Sequence, residues 1–464
     1  MSEASPSALQ MQLARFIVAT PHEALSDKFL SRLKWSLLDS LGCGLYGSRT
    51  EWAGIVSRFA VAQGGGRAHL WGSAGQRVSP TSAVLANATM IHSFEIDDVH
   101  SASRSHPGSV TIPVALALID DGLRVSGREL LCALAVGYEM LARVGACQGV
   151  SSFNRGWHPT GTAGVFAATA TAARLLGLDA GQCVHALGIA GAMPAGLMAA
   201  QYGAMVKRFY AGHGAWVGLT AALLARDGLT GMEDVFDAEY GGYPKALSDE
   251  VSLPALTDGL GARYDADTIG YKFFSCVGTN HTALEAVHGL MRDRAVDWRR
   301  VREVRVATSE YQVLHSGWEY KPSTIMAAQM NMQYCIAVLL MQGAVFVDQF
   351  KPELLADPDI LALARRVAVE TDPAQDHKDR TARVAITLED GTVLSASCGA
   401  ARGHPLNPPS HADIERKFML LAGKVIPAGQ CRELAALVSD IEARDDLSSM
   451  GRLMTTPAQA AARP

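Results

Sequence analysis

The chain is short of charge. Only 19% of its 464 residues are Asp, Glu, Lys or Arg, whereas 48% are hydrophobic. That balance excludes a disordered chain, which could not bury enough apolar surface to offset its ordering entropy, and suits a well-buried globular enzyme. Blocks of one sign are missing as well. The formal net charge is −5 and the pI about 6.3. Lysines and arginines are scattered, which leaves no electrostatic footprint for nucleic acid. The first twelve residues hold no basic region followed by an apolar run, so a secretory signal is not expected. The eight cysteines (Cys43, Cys132, Cys147, Cys183, Cys276, Cys335, Cys398 and Cys431) form no CxxC pair. This fits reduced, mostly buried thiols in a cytoplasm. Gly64-Gly65-Gly66 does not sit between a strand and a helix, and no Walker lysine follows it. Gly212-His213-Gly214 has no strand before it, so nucleotide binding is not expected. One stretch, 186–206, is uncharged over about the length of a bilayer span. It is built largely of Gly and Ala and contains Pro194, Gln201 and Tyr202. It reads as packed internal helices and their connection, not as a membrane segment.

What is present is helix after helix. A chain of this length exceeds one simple core, and two domains are the default. Apolar residues recur at helical spacing over 9–19, 27–46, 51–63, 80–94, 109–121 and 127–147, followed by Ala-rich segments at 161–176 and 212–227. Abundant Ala and Gly imply close helix–helix approach. Composition shifts near Tyr271. Beyond it, 301–308 alternates with Val301, Val304 and Val306 on one side, and 383–397 reads as a hairpin around Asp390-Gly391. Helical spacing returns at 412–422 and 430–441, and the end from 455 reads as frayed. The expected organisation is mainly α: a helical domain from 1–270 and 405–464, with an inserted α+β lid domain over 271–404.

Three carboxylates and three histidines interrupt the apolar background within fifteen residues: His92, Glu95, Asp97, Asp98, His100 and His106. Such groups are costly beside an apolar core unless they pair or do chemistry. The carboxylates fall at the C-terminal exit of the 80–94 helix, the wrong end for dipole stabilisation, so they need cationic partners. The segment reads equally as an active site or as a loop of internal ion pairs. A zinc or iron site is a third reading, but there is no HExxH, no HxxxH on one face and no cysteine cluster. Elsewhere, His158 stands in Gly156-Trp157-His158-Pro159-Thr160-Gly161-Thr162, as an acid, base or anion ligand or as part of a capping loop. Lys207 directly follows the uncharged stretch, beside Arg208, Tyr210 and His213; such a lysine snorkels outward or meets a buried anion. Tyr271-Lys272-Phe273-Phe274-Ser275-Cys276 leads to His281 at a helix entry; Cys276 has no base paired with it by spacing, so thiol catalysis is not expected. Tyr334 lies on the 331–342 helix, where an ordinary core aromatic is the plain reading.

Taken in order, five pieces resemble the MmgE/PrpD family, which includes 2-methylcitrate dehydratase, cis-aconitate decarboxylase and iminodisuccinate epimerase. They are H-S-F-E-I-D-D with H-P-G-S, G-W-H-P-T-G-T, A-M-V-K-R-F-Y-A-G, Y-K-F-F-S-C with N-H, and Q-Y-C-I-A, spread from His92 to Ala337. The resemblance implies a large helical domain made from both chain ends, an inserted α+β lid, an active site in the cleft between them, no metal or other cofactor, and a homodimer. It implies that His106, His158, Lys207, His281 and Tyr334 are active-site residues, and that Glu95 stands where the family often has Asp, ahead of Asp97 and Asp98. Val99 follows the paired acids where relatives commonly carry Thr or Ser, the loop to Ser105 is about one residue longer, and Tyr210 replaces a histidine.

The resemblance also implies a small di- or tricarboxylate as substrate, with no nucleic-acid or membrane partner. Lys207, Lys272, His106 and His158 could supply donors to it, with Glu95, Asp98 and Thr160 beside them. In the expected mechanism His106 or His158 moves the proton, Asp97 orients a histidine, Lys207 neutralises a carboxylate, and His281 and Tyr334 close the site from the lid. A lyase that dehydrates or decarboxylates its substrate is expected first, an isomerase or epimerase using the same groups second, and a non-catalytic carboxylate-binding scaffold third.

Overall fold

The computed structural model describes residues 6–375 and 380–457. Most of the end expected to fray lies outside the described residues. The helical body is organised around Pro107–Asp120, whose residues from Pro107 to Ile119 are all buried. It is apolar all round, as a helix packed on every side must be. Pro80–Ile91, Gly127–Cys147, Gly164–Leu175 and Val206–Arg226 surround it. Small residues set how near these helices come. A Cβ on Gly218 would lie 2.3 Å from the Cβ of Ala168, so that glycine permits the Val206–Arg226 and Gly164–Leu175 contact. Ser126 with Glu129, and Asp179 with Gln182, form capping boxes that start the helices Gly127–Cys147 and Ala180–Gly191.

One described helix, Gly127–Cys147, is long and apolar enough to cross a bilayer, but 94% of its apolar window is buried inside the molecule. The uncharged 186–206 stretch is not one helix. It contains the end of Ala180–Gly191, an irregular connection, and a 3-10 turn over Met198–Tyr202 before Val206–Arg226 begins.

The lid holds a four-stranded sheet in the order Val367–Thr371, Val301–Thr308, Ala382–Leu388, Val393–Cys398. The first pair is parallel and the others antiparallel. Val301, Val304 and Val306 are buried, as their alternation requires. Gly391, at φ 85°, supplies the left-handed residue of the hairpin turn. The helix His281–Asp293 covers one face of the hairpin. Val367–Thr371, absent from the sequence reading, is a short strand whose last two residues are exposed, so its alternation is too brief to show.

After the lid, His411–Ala422 packs back against Asp27–Gly47. Gly42 makes this close, since a Cβ there would lie 3.2 Å from the Phe418 Cα. A second tie crosses the molecule: Val99 and His100 pair antiparallel with Gly270 and Ile269. That two-residue ladder fixes where Tyr271 and Lys272 enter the lid.

His100 anchors the ladder from inside. Its Nδ1 lies 2.7 Å from Ser103 Oγ and its Nε2 3.0 Å from Thr268 Oγ1. Burial lowers its pKa to about 4. A histidine kept neutral this way stabilises fully above its unfolded value, and the contribution is lost as pH falls towards the folded one. Relative to His100→Gln, the native protein is expected to lose about 2–3 kcal/mol between about pH 7 and pH 4.5. Urea unfolding of both proteins at the two pH values checks this; an unchanged difference contradicts it.

Candidate active site

The helix Pro80–Ile91 runs into a 3-10 turn, His92–Phe94, and then Glu95 turns the chain with a left-handed φ of 54°. A non-glycine residue there is strained and must be held by its surroundings. Three cations hold it. Lys207 and Arg208 pair with Glu95 Oε1, and Lys272 Nζ lies 2.9 Å from Oε2. These are the partners that carboxylates at a helix C-terminus require. Burial opposes ionisation of Glu95, but the three cations outweigh it and hold the carboxyl well below the usual range. Arg208 also donates to the Gln329 side chain at 3.0 Å, and Gln329 donates to the Phe94 carbonyl at 3.0 Å, so the turn is fixed from the lid side.

Lys207 and Arg208 stand in the first turn of the 21-residue helix Val206–Arg226. Cations are unfavourable at a helix N-terminus. Burial, foremost, lowers the Lys207 pKa to about 8 although Glu95 works against it. Glu95 therefore answers only part of the positive charge gathered here.

Asp97 faces the other way. Its Oδ2 lies 2.8 Å from His92 Nδ1 and 3.3 Å from His106 Nδ1. Burial opposes its charge, yet His106 and His92 keep its carboxyl well below the usual range. His106 Nδ1 also lies 2.7 Å from the Asp98 carbonyl oxygen. An oxygen of that kind only accepts, so Nδ1 carries the proton and Nε2 is the ring's free nitrogen. The His92 ring lies between those of His106 and His158, tilted against the first and edge-on to the second, with centroids 4.6 and 5.6 Å away. Burial pushes His92 down to about 4; burial and then Lys207 push His158 well below its ordinary value, so His158 is neutral.

Of these, His106 and His158 border a cavity of about 110 Å³, with His92 and Asp97 buried behind them. Glu95, His106, His158, Lys207 and Lys272 line its depth, Phe153, Met198 and Met330 supply apolar wall, and Arg104 and Arg380 contribute two further cations. Four cationic side chains thus face one carboxylate. A second chamber of about 50 Å³ shares Val99, Lys272 and Arg380 with the first and extends to His281. The arrangement can neutralise a small polyanion, exclude most water around it and present one carboxylate-backed imidazole to it.

Several expected residues stand elsewhere. Asp98 is fully buried behind the cavity, accepting from Tyr138 OH at 2.8 Å and from the Gly108 N–H at 3.1 Å. Burial and the neighbouring Asp39 raise its carboxyl to about 8. It supports the start of Pro107–Asp120 and does not line either chamber. Thr160 accepts the His106 N–H at 3.2 Å and is also behind the surface. Tyr334 is completely buried, donates to the Gln349 carbonyl at 2.8 Å and packs on Tyr320 and Phe350; it lines neither chamber, because this helix face is committed to the lid core. His281 lines only the second chamber, with Nε2 3.2 Å from the Cys276 carbonyl. Burial raises the Cys276 thiol well above its ordinary value, which makes it inert. Arg104, Tyr311, His315 and Arg380, none of them expected from the sequence, also line the cavity. Arg104 stands just before the H-P-G-S motif without belonging to it, and Tyr311, His315 and Arg380 lie outside every motif.

The nitrogen and oxygen atoms of His92, Asp97 and His106 come within 4.8 Å of one another, close enough to hold a metal ion. Both imidazoles already point Nδ1 at Asp97, and that of His106 is protonated towards a carbonyl. Their geometry is that of a carboxylate orienting two rings, and a metal would have to replace those protons.

A helical body and a smaller sheet-containing part thus surround a cavity rich in cations and histidines. The chain belongs to the MmgE/PrpD family: the family's N-terminal domain matches residues 11–253 and its C-terminal domain residues 274–443. Among similar proteins, a cis-aconitate decarboxylase-like protein of Aspergillus oryzae is 34% identical, with 96% of each chain covered. A cis-aconitate decarboxylase of Aspergillus terreus is 30% identical, with 92% of each covered. A 2-methylcitrate dehydratase of Cupriavidus necator is 26% identical, covering 85% of this chain and 86% of its own. The decarboxylase and the dehydratase are both lyases, which places this chain among lyase relatives.

Proposed function

We propose that the protein is a carboxy-lyase for a small unsaturated tricarboxylate of the cis-aconitate type. The observation that carries this reading is the cavity's excess of cations around Glu95 next to the Asp97–His106 couple. The relatives at 34% and 30% identity, both decarboxylase or decarboxylase-like, support it over the 26% identical dehydratase.

In such a substrate one carboxylate sits on a methylene next to the carbon–carbon double bond. Loss of that carboxylate as carbon dioxide leaves its bonding electron pair, which becomes a new terminal double bond. The old double-bond pair moves to the far carbon, which takes one proton. A trianion and a proton thus give a dianion and carbon dioxide. Lys207 and Lys272 hold carboxylates and meet the charge that spreads along the three-carbon system. His106 delivers the proton from Nε2, and Asp97, fixed behind it, steadies the imidazolium before delivery. Neutral His158 accepts or donates hydrogen bonds beside it without adding charge. No step calls for a metal.

Dehydration of a hydroxy-tricarboxylate is the second reading, favoured by the dehydratase relative. One histidine would take a carbon-bound proton and another would protonate the departing hydroxide. A panel of tri- and dicarboxylates, with and without chelator, separates the two. Carbon dioxide release from cis-aconitate that survives the chelator is expected. Alkene formation from hydroxy acids without carbon dioxide, or activity abolished by the chelator, overturns the reading.

A further inference from the structure

Among the described residues only two non-glycine positions have a left-handed φ, Glu95 and Arg104, both at 54°, and both line the cavity. Backbone strain of this kind persists where the fold over-determines it, and it collects at functional sites. Glu95 has its three cations. Arg104 has no corresponding partner. Its guanidinium reaches only the carbonyls of Ala102 and Gly149, each at a long 3.4 Å, and among the described residues no carboxylate lies within ion-pair distance of it.

The loop that presents Arg104 is tied down by hydrogen bonds at its base. His100 and Ser105 exchange backbone hydrogen bonds at 2.8 and 3.3 Å, and Ser103 joins both the His100 ring and the Ser105 hydroxyl. Gly145 lets the loop lie flat on the helical body, since a Cβ there would stand 2.2 Å from that of Ser103. Arg104 is half-buried, and its charged neighbours include the Arg380 guanidinium. Burial and that like charge disfavour its own charge, while Tyr311 and Glu250 offset this only in part. Two guanidinium groups at one cavity wall, the nearer one strained and without a carboxylate, are electrostatically incomplete until an anion arrives.

We infer that Arg104 is a specificity-determining residue: its guanidinium takes a substrate carboxylate other than those held by Lys207 and Lys272, with Arg380 as a second donor, so that the cavity selects tricarboxylates over dicarboxylates. This rests on the reading of the cavity as a polycarboxylate site. It also gives the 99–105 loop a chemical role.

Arg104→Asn is the informative variant, because Asn tolerates the left-handed backbone while removing the guanidinium. Calorimetric binding of two unreactive ligands reads the effect: propane-1,2,3-tricarboxylate, and glutarate, the same skeleton without the central carboxylate. The native protein is expected to prefer the tricarboxylate. In Arg104→Asn its affinity should fall roughly 10- to 100-fold, the worth of a charge-assisted hydrogen bond, while glutarate binding changes by less than about twofold. An unchanged thermal midpoint verifies the fold, and Arg104→Lys, with charge but no fork, should fall between. Equal losses for both ligands, or no loss for the tricarboxylate, overturn the assignment. Native protein that binds neither ligand overturns the polycarboxylate reading and this inference with it.

Discussion

Lys207→Met is expected to lower kcat/KM for the tricarboxylate roughly 10²- to 10³-fold while leaving the protein folded, the scale of losing one preorganised charge donor. The fold survives because Glu95 keeps Arg208 and Lys272 when Lys207 is gone. Activity does not, because Lys207 lines the cavity at the helix N-terminus where substrate charge must be met. The native enzyme should show the same dependence through pH. With the Lys207 pKa lowered to about 8, the ammonium is lost above that pH, and kcat/KM should fall as pH rises past it. Steady-state kinetics across pH for both proteins check this. A variant within about threefold of native activity would remove Lys207 from the mechanism, since a donor of this kind is worth far more.

Lys417→Met is expected to destabilise the protein by about 3–5 kcal/mol, the cost of stranding a buried charge. Lys417 comes from the C-terminal helix His411–Ala422, yet its Nζ lies 2.6 Å from Asp39 Oδ1 and donates to the Ile96 carbonyl at 2.5 Å. Both side chains are shut off from solvent. Burial works against the ammonium, but Asp39 outweighs it and holds the Lys417 pKa above its ordinary value. Without the lysine, Asp39 is left beside Cys43 with no cation. Lys417→Met combined with Asp39→Leu should recover most of the stability, because an apolar pair of similar volume replaces the ions. It should not recover activity, because the Ile96 carbonyl, one residue from both Glu95 and Asp97, still lacks its anchor. Urea midpoints and turnover measured on the single and double variants separate these effects.

Much of the fold is legible in the sequence because its signals are local. The spacing over 127–147 coincides with the helix Gly127–Cys147, and Asp390-Gly391 marks the turn between two strands. Helix starts are less sharp: the Ala-rich spacing from 212 misses the first two turns of Val206–Arg226, where Lys207 and Arg208 break the pattern for the sake of the site. The site itself is only half legible. The cost of carboxylates at a helix end says that Glu95 needs cations, but residues 207, 208 and 272 reach it only through tertiary packing. Asp97 and Asp98 are neighbours in sequence, and local patterning cannot tell that one faces two imidazoles and the other a tyrosine in the core. Nor does local patterning tell that the Tyr334 hydroxyl is spent on the Gln349 carbonyl. His315 and Arg380 carry no local signal at all, and Arg104 only that of the loop it sits in; the folded cavity gathers them.

The most direct test of the central claim follows cis-aconitate and the purified protein by proton and carbon NMR in deuterated water. The account predicts one equivalent of carbon dioxide and a dicarboxylate bearing a terminal methylene, with one deuteron on the carbon that was formerly unsaturated. Recovery of unchanged tricarboxylate, or of hydrated or deuterium-exchanged tricarboxylate with all three carboxylates intact, would contradict it.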